Sequence, residues 1–113
     1  PDDVGVVATC EGVDAGACWA RCFSSDAPGY GWVAADVPEL SIAIADPWRG
    51  RGLGTLMLRT LLDRLAVRGC RQVSLSVDPA SPARRLYERL DFLHLGWEGT
   101  SMTMIRQLGT AVR

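Results

Sequence analysis

In the stretch PWRGRGLGTLML (47–58), two arginines and three glycines stand directly ahead of an apolar helical run, with no acidic neighbour among them. The first N–H groups of a helix lack intrahelical partners, and the macrodipole places roughly half a positive charge there. Gly50, Gly52 and Gly54 remove side chains that would keep an anion from those N–H groups, and Arg49 and Arg51 add forked donors suited to phosphate. A bound pyrophosphate explains both the glycines and the unmatched charge. The alternative is a tight strand-to-helix turn with solvated arginines. No Gly-Lys-Ser/Thr follows, which excludes a Walker loop, and Thr55 stands where a dinucleotide fingerprint needs its third glycine.

The other reactive residues are few. Cys10, Cys18, Cys22 and Cys70 have no CxxC spacing, and with the single His94 they make a poor zinc set, so no metal is expected. They read as small buried hydrophobes of a reducing cytoplasm. On a strand, Cys18 and Cys22 would share one face, and a bridge between cysteines stays open. His94 lies between Leu93 and Leu95. If the leucines face the core, it faces the other way as a surface or sheet-face histidine.

These residues need a scaffold. Strands are expected at 4–9 and 15–23, joined by the turn-like CEGVD, followed by a Ser/Asp/Pro/Gly-rich loop over 24–38 that carries Tyr30 and Trp32. Residues 39–45 alternate Leu40, Ile42 and Ile44 with Ser41, Ala43 and Ala45, giving a strand with one bulky and one small face. From Gly52 to Val67 the period becomes helical, with a stripe at Leu53, Leu56, Met57, Thr60, Leu61, Arg64 and Leu65, and Gly69 ends the helix. Residues 71–77 return to strand, and 80–90 form a short helix with Ser81 as N-cap and Pro82 at its first position. Segments 92–98 and 100–108 close as two strands. Strand, helix and strand over 39–77 make a right-handed βαβ unit with parallel strands, while the flanking connections suit antiparallel pairing. The expected class is α/β (α+β), a mixed, mostly antiparallel sheet with one central parallel pair and helices on its faces.

The composition agrees. The chain has 113 residues, 48% hydrophobic and 22% charged, the profile of one domain over 1–113. All basic residues are arginine, and the net charge of −1 gives no global attraction to nucleic acid or membrane. No apolar run approaches the roughly 20 residues of a membrane span. No signal-peptide pattern opens the chain, and Pro1 in place of Met reads as a processed or trimmed start.

IADPWRGRGLGTLML (44–58) resembles the acetyl-CoA motif of the GNAT family of N-acetyltransferases, an Arg/Gln-x-x-Gly-x-Gly/Ala pattern met by Arg49, Gly52 and Gly54. Downstream, SLSVDPASPARRLYERLDF (74–92) is similar to the family's Asn-Pro-Ala…Leu-Tyr-Glu…Leu-Gly-Phe segment, at the expected distance. The resemblance covers roughly residues 6 to 106. It implies an acyl-CoA N-acyltransferase fold and an acetyl-CoA-dependent enzyme that acetylates a primary amine, small-molecule or peptide, by direct attack. The pantetheine arm would lie against the backbone of Ile42, Ala43 and Ile44, between two splayed parallel strands. The pyrophosphate would sit on the 49–55 loop, which includes Leu53 and Thr55. Tyr87 matches the family's tyrosine that protonates the departing thiolate; its other reading is a core anchor. Glu39 matches a glutamate that deprotonates the amine, directly or through water; its other reading is a solvated strand-entry carboxylate, and Asp36 is a second candidate. Arg84 and Arg85 could reach the adenine end, and Tyr30 and Trp32 could form part of the acceptor wall. The family analogy allows a homodimer through the late strands.

The chain departs from the pattern at three places. Ser81 stands where relatives have Asn, which keeps the cap but loses an amide hydrogen bond. Asp91 replaces Gly at a position where Asp tolerates a left-handed conformation at some cost. The family fold is expected to open with a strand and two helices, and only a few residues precede Val4, so that wall would be missing, supplied by another chain or trimmed away; the alternative function is a non-catalytic acyl-CoA-binding or regulatory module.

Overall fold

The computed structural model describes residues 4–10, 12–22, 33, 37–45, 48–50 and 52–109. Strands β1 (Val4–Cys10) and β2 (Val13–Arg21) form a hairpin, and β3 (Glu39–Ile44), α1 (Leu53–Val67) and β4 (Gln72–Val77) follow as the βαβ unit. Helix α2 (Ala83–Arg89) leads to β5 (Leu93–Glu98) and β6 (Ser101–Gln107). The six strands lie in the order β1-β2-β3-β4-β6-β5, and β3–β4 is the one parallel neighbour pair. The expected mixed sheet and its central parallel pair are therefore present. The second strand starts two residues earlier than its sequence pattern implied and runs to Arg21. Most of the 24–38 loop, including Tyr30, Trp32 and Asp36, lies outside the described residues, as does Arg51.

Alternation on the strands builds one apolar face. Cys18, Ala20 and Leu40 are buried on it, and Ile42 and Ile44 pack against it. Val73, Leu75 and Val77 continue the face on β4, opposite Arg106, Met104 and Met102 of β6. Helix α1 covers its β1–β3 half. The buried positions of α1 are Gly54, Met57, Leu58, Leu61, Leu62 and Leu65, a stripe rotated one residue from the one anticipated. Leu56, expected inside, is 63% exposed. The reason is that 54, 57, 58, 61, 62 and 65 also keep 3.6-residue periodicity and are apolar throughout, whereas the anticipated stripe contained Thr60 and Arg64. Burying each large side chain of this stripe contributes about 1.5–3 kcal/mol. Arg64 instead reaches across to β1, donating from its guanidinium to the Gly5 carbonyl at 2.9 Å.

Both helices end alike. Gly69 (φ +90°) follows α1, with its N–H on the Ala66 carbonyl and that of Cys70 on the Leu65 carbonyl. After α2, Asp91 adopts φ +69°, its N–H bonds the Glu88 carbonyl and the Phe92 N–H bonds that of Tyr87. These are Schellman closures, and Asp91 carries one that glycine ordinarily fills. Strand β5 is the sheet's outer edge, and Leu93, Leu95 and Trp97 are all more than half exposed. His94 is exposed too; its ring meets Trp97 edge-on at 5.2 Å, and its Nε2 lies 3.0 Å from the Gly96 carbonyl. The leucines therefore do not face a core, because among the described residues no layer covers this edge.

Candidate acyl-CoA cleft

The site begins where two parallel strands part. Glu39 and Ser74 are the register pair of β3 and β4, and the Ser74 N–H bonds the Pro38 carbonyl at 3.0 Å. Beyond this point the strands diverge toward their carboxyl ends, so a fork opens. The direction of each backbone group follows from the ladder on the other side. The Ala45 N–H bonds the Ala15 carbonyl, and the register then makes Glu39, Ser41 and Ala43 the residues that exchange hydrogen bonds with β2. Ile42 and Ile44 point their N–H and C=O groups the other way, into the fork. Ala43, expected to contact cofactor, instead directs its backbone to Ala17 of β2.

A cleft of about 440 Å³ continues from the fork. Ile42 and Ile44 line it from β3, Arg49, Gly50 and Gly52 from the loop, Leu53, Gly54 and Thr55 from the start of α1, and Ser81 from the turn before α2. The loop's shape comes from glycine: Gly50 and Gly52 have φ of +75° and +80°, which L-residues adopt only with strain. Among the described residues, a Cβ on either would meet nothing within 4 Å. Gly54 has a different reason to be glycine. Its Cβ would stand 3.0 Å from Leu86 Cδ2 and 3.1 Å from Ile44 Cδ1, so its absence lets α1 lie close to α2 and β3.

The start of α1 is positive, and none of its own first-turn residues offsets the charge. Its N-cap is Gly52, no side chain caps it, and no acidic residue occupies its first turn. The first-turn N–H groups thus open on the cleft with the dipole's positive end. Arg49 is anchored beside them, its Nε donating to the Ile44 carbonyl at 3.2 Å. This donor set fits a pyrophosphate. Across the cleft, Ser81 Oγ accepts from the Ala83 N–H at 3.2 Å and so caps the turn as expected, although regular helix begins at Ala83, after Pro82. Arg84 is turned away from the cleft: its Nε meets Glu88 at 3.2 Å and its guanidinium approaches the Pro79 carbonyl at 3.5 Å.

Tyr87 and Glu39 do not line this cleft. Tyr87 is 6% exposed and its ring meets Phe92 at 5.7 Å with a 58° tilt. Burial pushes its phenol pKa up, and the neighbouring Cys18 thiol adds to the effect. Among the described residues its hydroxyl has no hydrogen-bond partner, while no fully enclosed side-chain oxygen lacks one, so the hydroxyl reaches accessible space. Glu39 sits at the base of the fork, buried to 7% exposure, on the sheet face opposite Leu40 and α1. Tyr87, beside Cys18 on the α1 side, and Glu39 therefore lie on opposite faces of the sheet. Trp48, Leu86 and Arg89 also line the cleft and were missed in the sequence. The last two follow Ala83 at steps of three, and that spacing was the available signal. A separate cavity of about 600 Å³, between the later turns of α1, the end of α2 and β6, holds none of the predicted site residues. Among the described residues no cluster of three metal-ligating side chains occurs and no helix is long and apolar enough to cross a membrane. Cys18 and Cys70 are free thiols.

The acetyltransferase (GNAT) family profile matches residues 6–92. Mycothiol acetyltransferase of Corynebacterium aurimucosum is 35% identical over 79 residues, covering 69% of this chain and 24% of that protein. The chain thus spans about a quarter of the length of the curated relatives it matches. Among solved structures, a GNAT phosphinothricin acetyltransferase of Sinorhizobium meliloti in complex with acetyl-CoA superposes with TM-score 0.75 and 27% identity, over 93% of this chain and 60% of that one. An N-acetyltransferase from Staphylococcus aureus Mu50 superposes with TM-score 0.78 at 19% identity, over 95% and 68%. The match over most of its length shows that the chain belongs to the GNAT family of acetyltransferases.

Proposed function

We propose that this chain is one catalytic domain that moves an acetyl group from acetyl-CoA to a primary amine. The observation that carries the reading is the continuity between the uncapped start of α1 and the fork-facing backbone of Ile42 and Ile44, which has no β4 partner in the register and of which only the Ile44 carbonyl is taken, by Arg49. A pyrophosphate on the first belongs to the same molecule as a pantetheine arm on the second, whose amides can hydrogen-bond to Ile42 as a strand would. The amine nitrogen attacks the thioester carbonyl, whose oxygen a backbone N–H polarises. The C–N bond forms, the C–S bond breaks, and the thiolate takes the Tyr87 proton while the amine's proton passes to Glu39 or water. The raised pKa of Tyr87 keeps it protonated for that step.

The acceptor of the mycothiol acetyltransferases is the first amine to assay, since those relatives exceed 30% identity. The test is CoA release by this chain with that acceptor and with a panel of amines and peptides. Amine-dependent release supports the reading. Saturable acetyl-CoA binding without turnover on any amine replaces it with an acyl-CoA-binding module. Glu39→Gln separates the two routes for the amine's proton: a base role moves the acidic limb of the kcat/KM pH profile, whereas a purely structural role leaves the profile's shape intact.

A further inference from the structure

We infer that Arg89 reads a second phosphate of the ligand, a phosphomonoester separate from the pyrophosphate on α1; this rests on the acetyl-CoA reading above. Arg89 closes the last turn of α2 and lines the same cleft as Gly50, Gly52 and Thr55. It is exposed, and among the described residues no hydrogen bond or ion pair engages it. The two cations this cleft receives from described residues are thus differently placed. Arg49 is fixed to the Ile44 carbonyl at the loop, while Arg89 stands on the opposite wall, on the face of α2 that also presents Ala83 and Leu86. Arg84, the nearer candidate in sequence, is held by Glu88 and the Pro79 carbonyl on another side of the helix. Arg89 stands between the cleft and the neighbouring cavity, which it lines together with Asp63 and Asp91; among the described residues neither carboxylate forms an ion pair with it. A planar fork facing phosphate forms paired charge-assisted bonds, and CoA carries such a phosphomonoester on its ribose.

The test is calorimetric titration of the chain with CoA and with 3′-dephospho-CoA, using wild type, Arg89→Gln, Arg89→Lys and Arg84→Gln. The expected result is a wild-type preference of about tenfold for CoA, lost in Arg89→Gln through weaker CoA binding alone. Arg89→Lys should keep part of the preference and Arg84→Gln all of it. Unchanged binding of dephospho-CoA shows that Arg89→Gln is folded. The inference is overturned if Arg89→Gln weakens both ligands equally, if it retains the preference, or if Arg84→Gln is the variant that loses it. A folded wild type that binds neither ligand sinks the acetyl-CoA reading itself, and this inference with it. A wild type that binds both equally sinks the inference alone.

Discussion

The Nε of Arg49 donates to the carbonyl oxygen of Ile44 at 3.2 Å, tying the loop before α1 to the last residue of β3. This bond satisfies a carbonyl that the departure of β4 would otherwise leave open, and it holds a guanidinium beside the anion site. Arg49→Ala should therefore weaken acetyl-CoA binding by about tenfold, as for one charge-assisted hydrogen bond to phosphate. Because Arg49 is exposed, stability should change by less than about 1 kcal/mol. Calorimetric titration and thermal melting measure the two effects separately; a large loss of stability with unchanged affinity would make Arg49 a structural tie only.

Gly54 and Leu86 should be energetically coupled. Gly54→Ala puts a methyl 3.0 Å from Leu86 Cδ2, and trimming Leu86 gives that methyl room. The double variant Gly54→Ala/Leu86→Ala should be more stable than the sum of the single effects predicts, by about 0.5 kcal/mol or more. Denaturant unfolding of the four proteins decides it, and strict additivity would mean that the helices do not touch there in solution.

Asp91 sits at φ +69° in the closure after α2. Asp91→Gly removes the left-handed strain while leaving the backbone bonds of the closure in place, for a gain of about 1 kcal/mol. A rise in Tm of roughly 4 °C is expected. An unchanged or lowered Tm would show that Asp91 makes a compensating interaction.

The parallel pair, the glycine corner and the end of each helix were legible because each rests on local rules: period-2 alternation, glycine at positive φ, a stop after the last apolar turn. Asp91 was read as left-handed from its place in the motif, and the structure agrees. The inward face of α1 was not legible in detail, since Leu53, Leu56, Leu58 and Leu62 offer two overlapping apolar stripes and only the sheet beneath selects one. Ala43 was misassigned because alternation tells which way a side chain points, whereas backbone direction follows from hydrogen-bond register with β2. Arg84 and Arg89 illustrate the same point at side-chain level: sequence places both on α2, but only packing decides which faces the cleft.

Cys18 gives the fold an alkaline limit. Its thiol is 1% exposed and 3.5 Å from the Met57 carbonyl, and burial pushes its pKa from 9.0 to about 11, with Arg64 acting in the opposite direction. A thiol pKa higher in the folded than in the unfolded chain favours folding fully below pH 9, and this contribution is lost as pH rises toward about 11. Stability should therefore fall over that window, and Cys18→Ala should flatten the fall even though the cavity it leaves lowers stability at neutral pH. Thermal melts from pH 8 to 11 test it. Parallel curves for both proteins would show that the Cys18 pKa does not differ between the folded and unfolded chain.

Tyr87→Phe separates the anchor from the acid. The ring contact with Phe92 at 5.7 Å survives the substitution, and the hydroxyl it deletes makes no hydrogen bond among the described residues. Stability at neutral pH and acetyl-CoA affinity should therefore stay close to wild type. If the hydroxyl protonates the departing thiolate, kcat should fall by about 10²-fold or more with KM little changed. The raised phenol pKa adds a constraint: Tyr87 stays protonated through the ordinary phenol range, so its ionisation should not cut wild-type kcat below pH 10. Steady-state CoA release by both proteins from pH 6 to 10 supplies the comparison. Equal kcat across that range would confine Tyr87 to packing and leave solvent to protonate the thiolate.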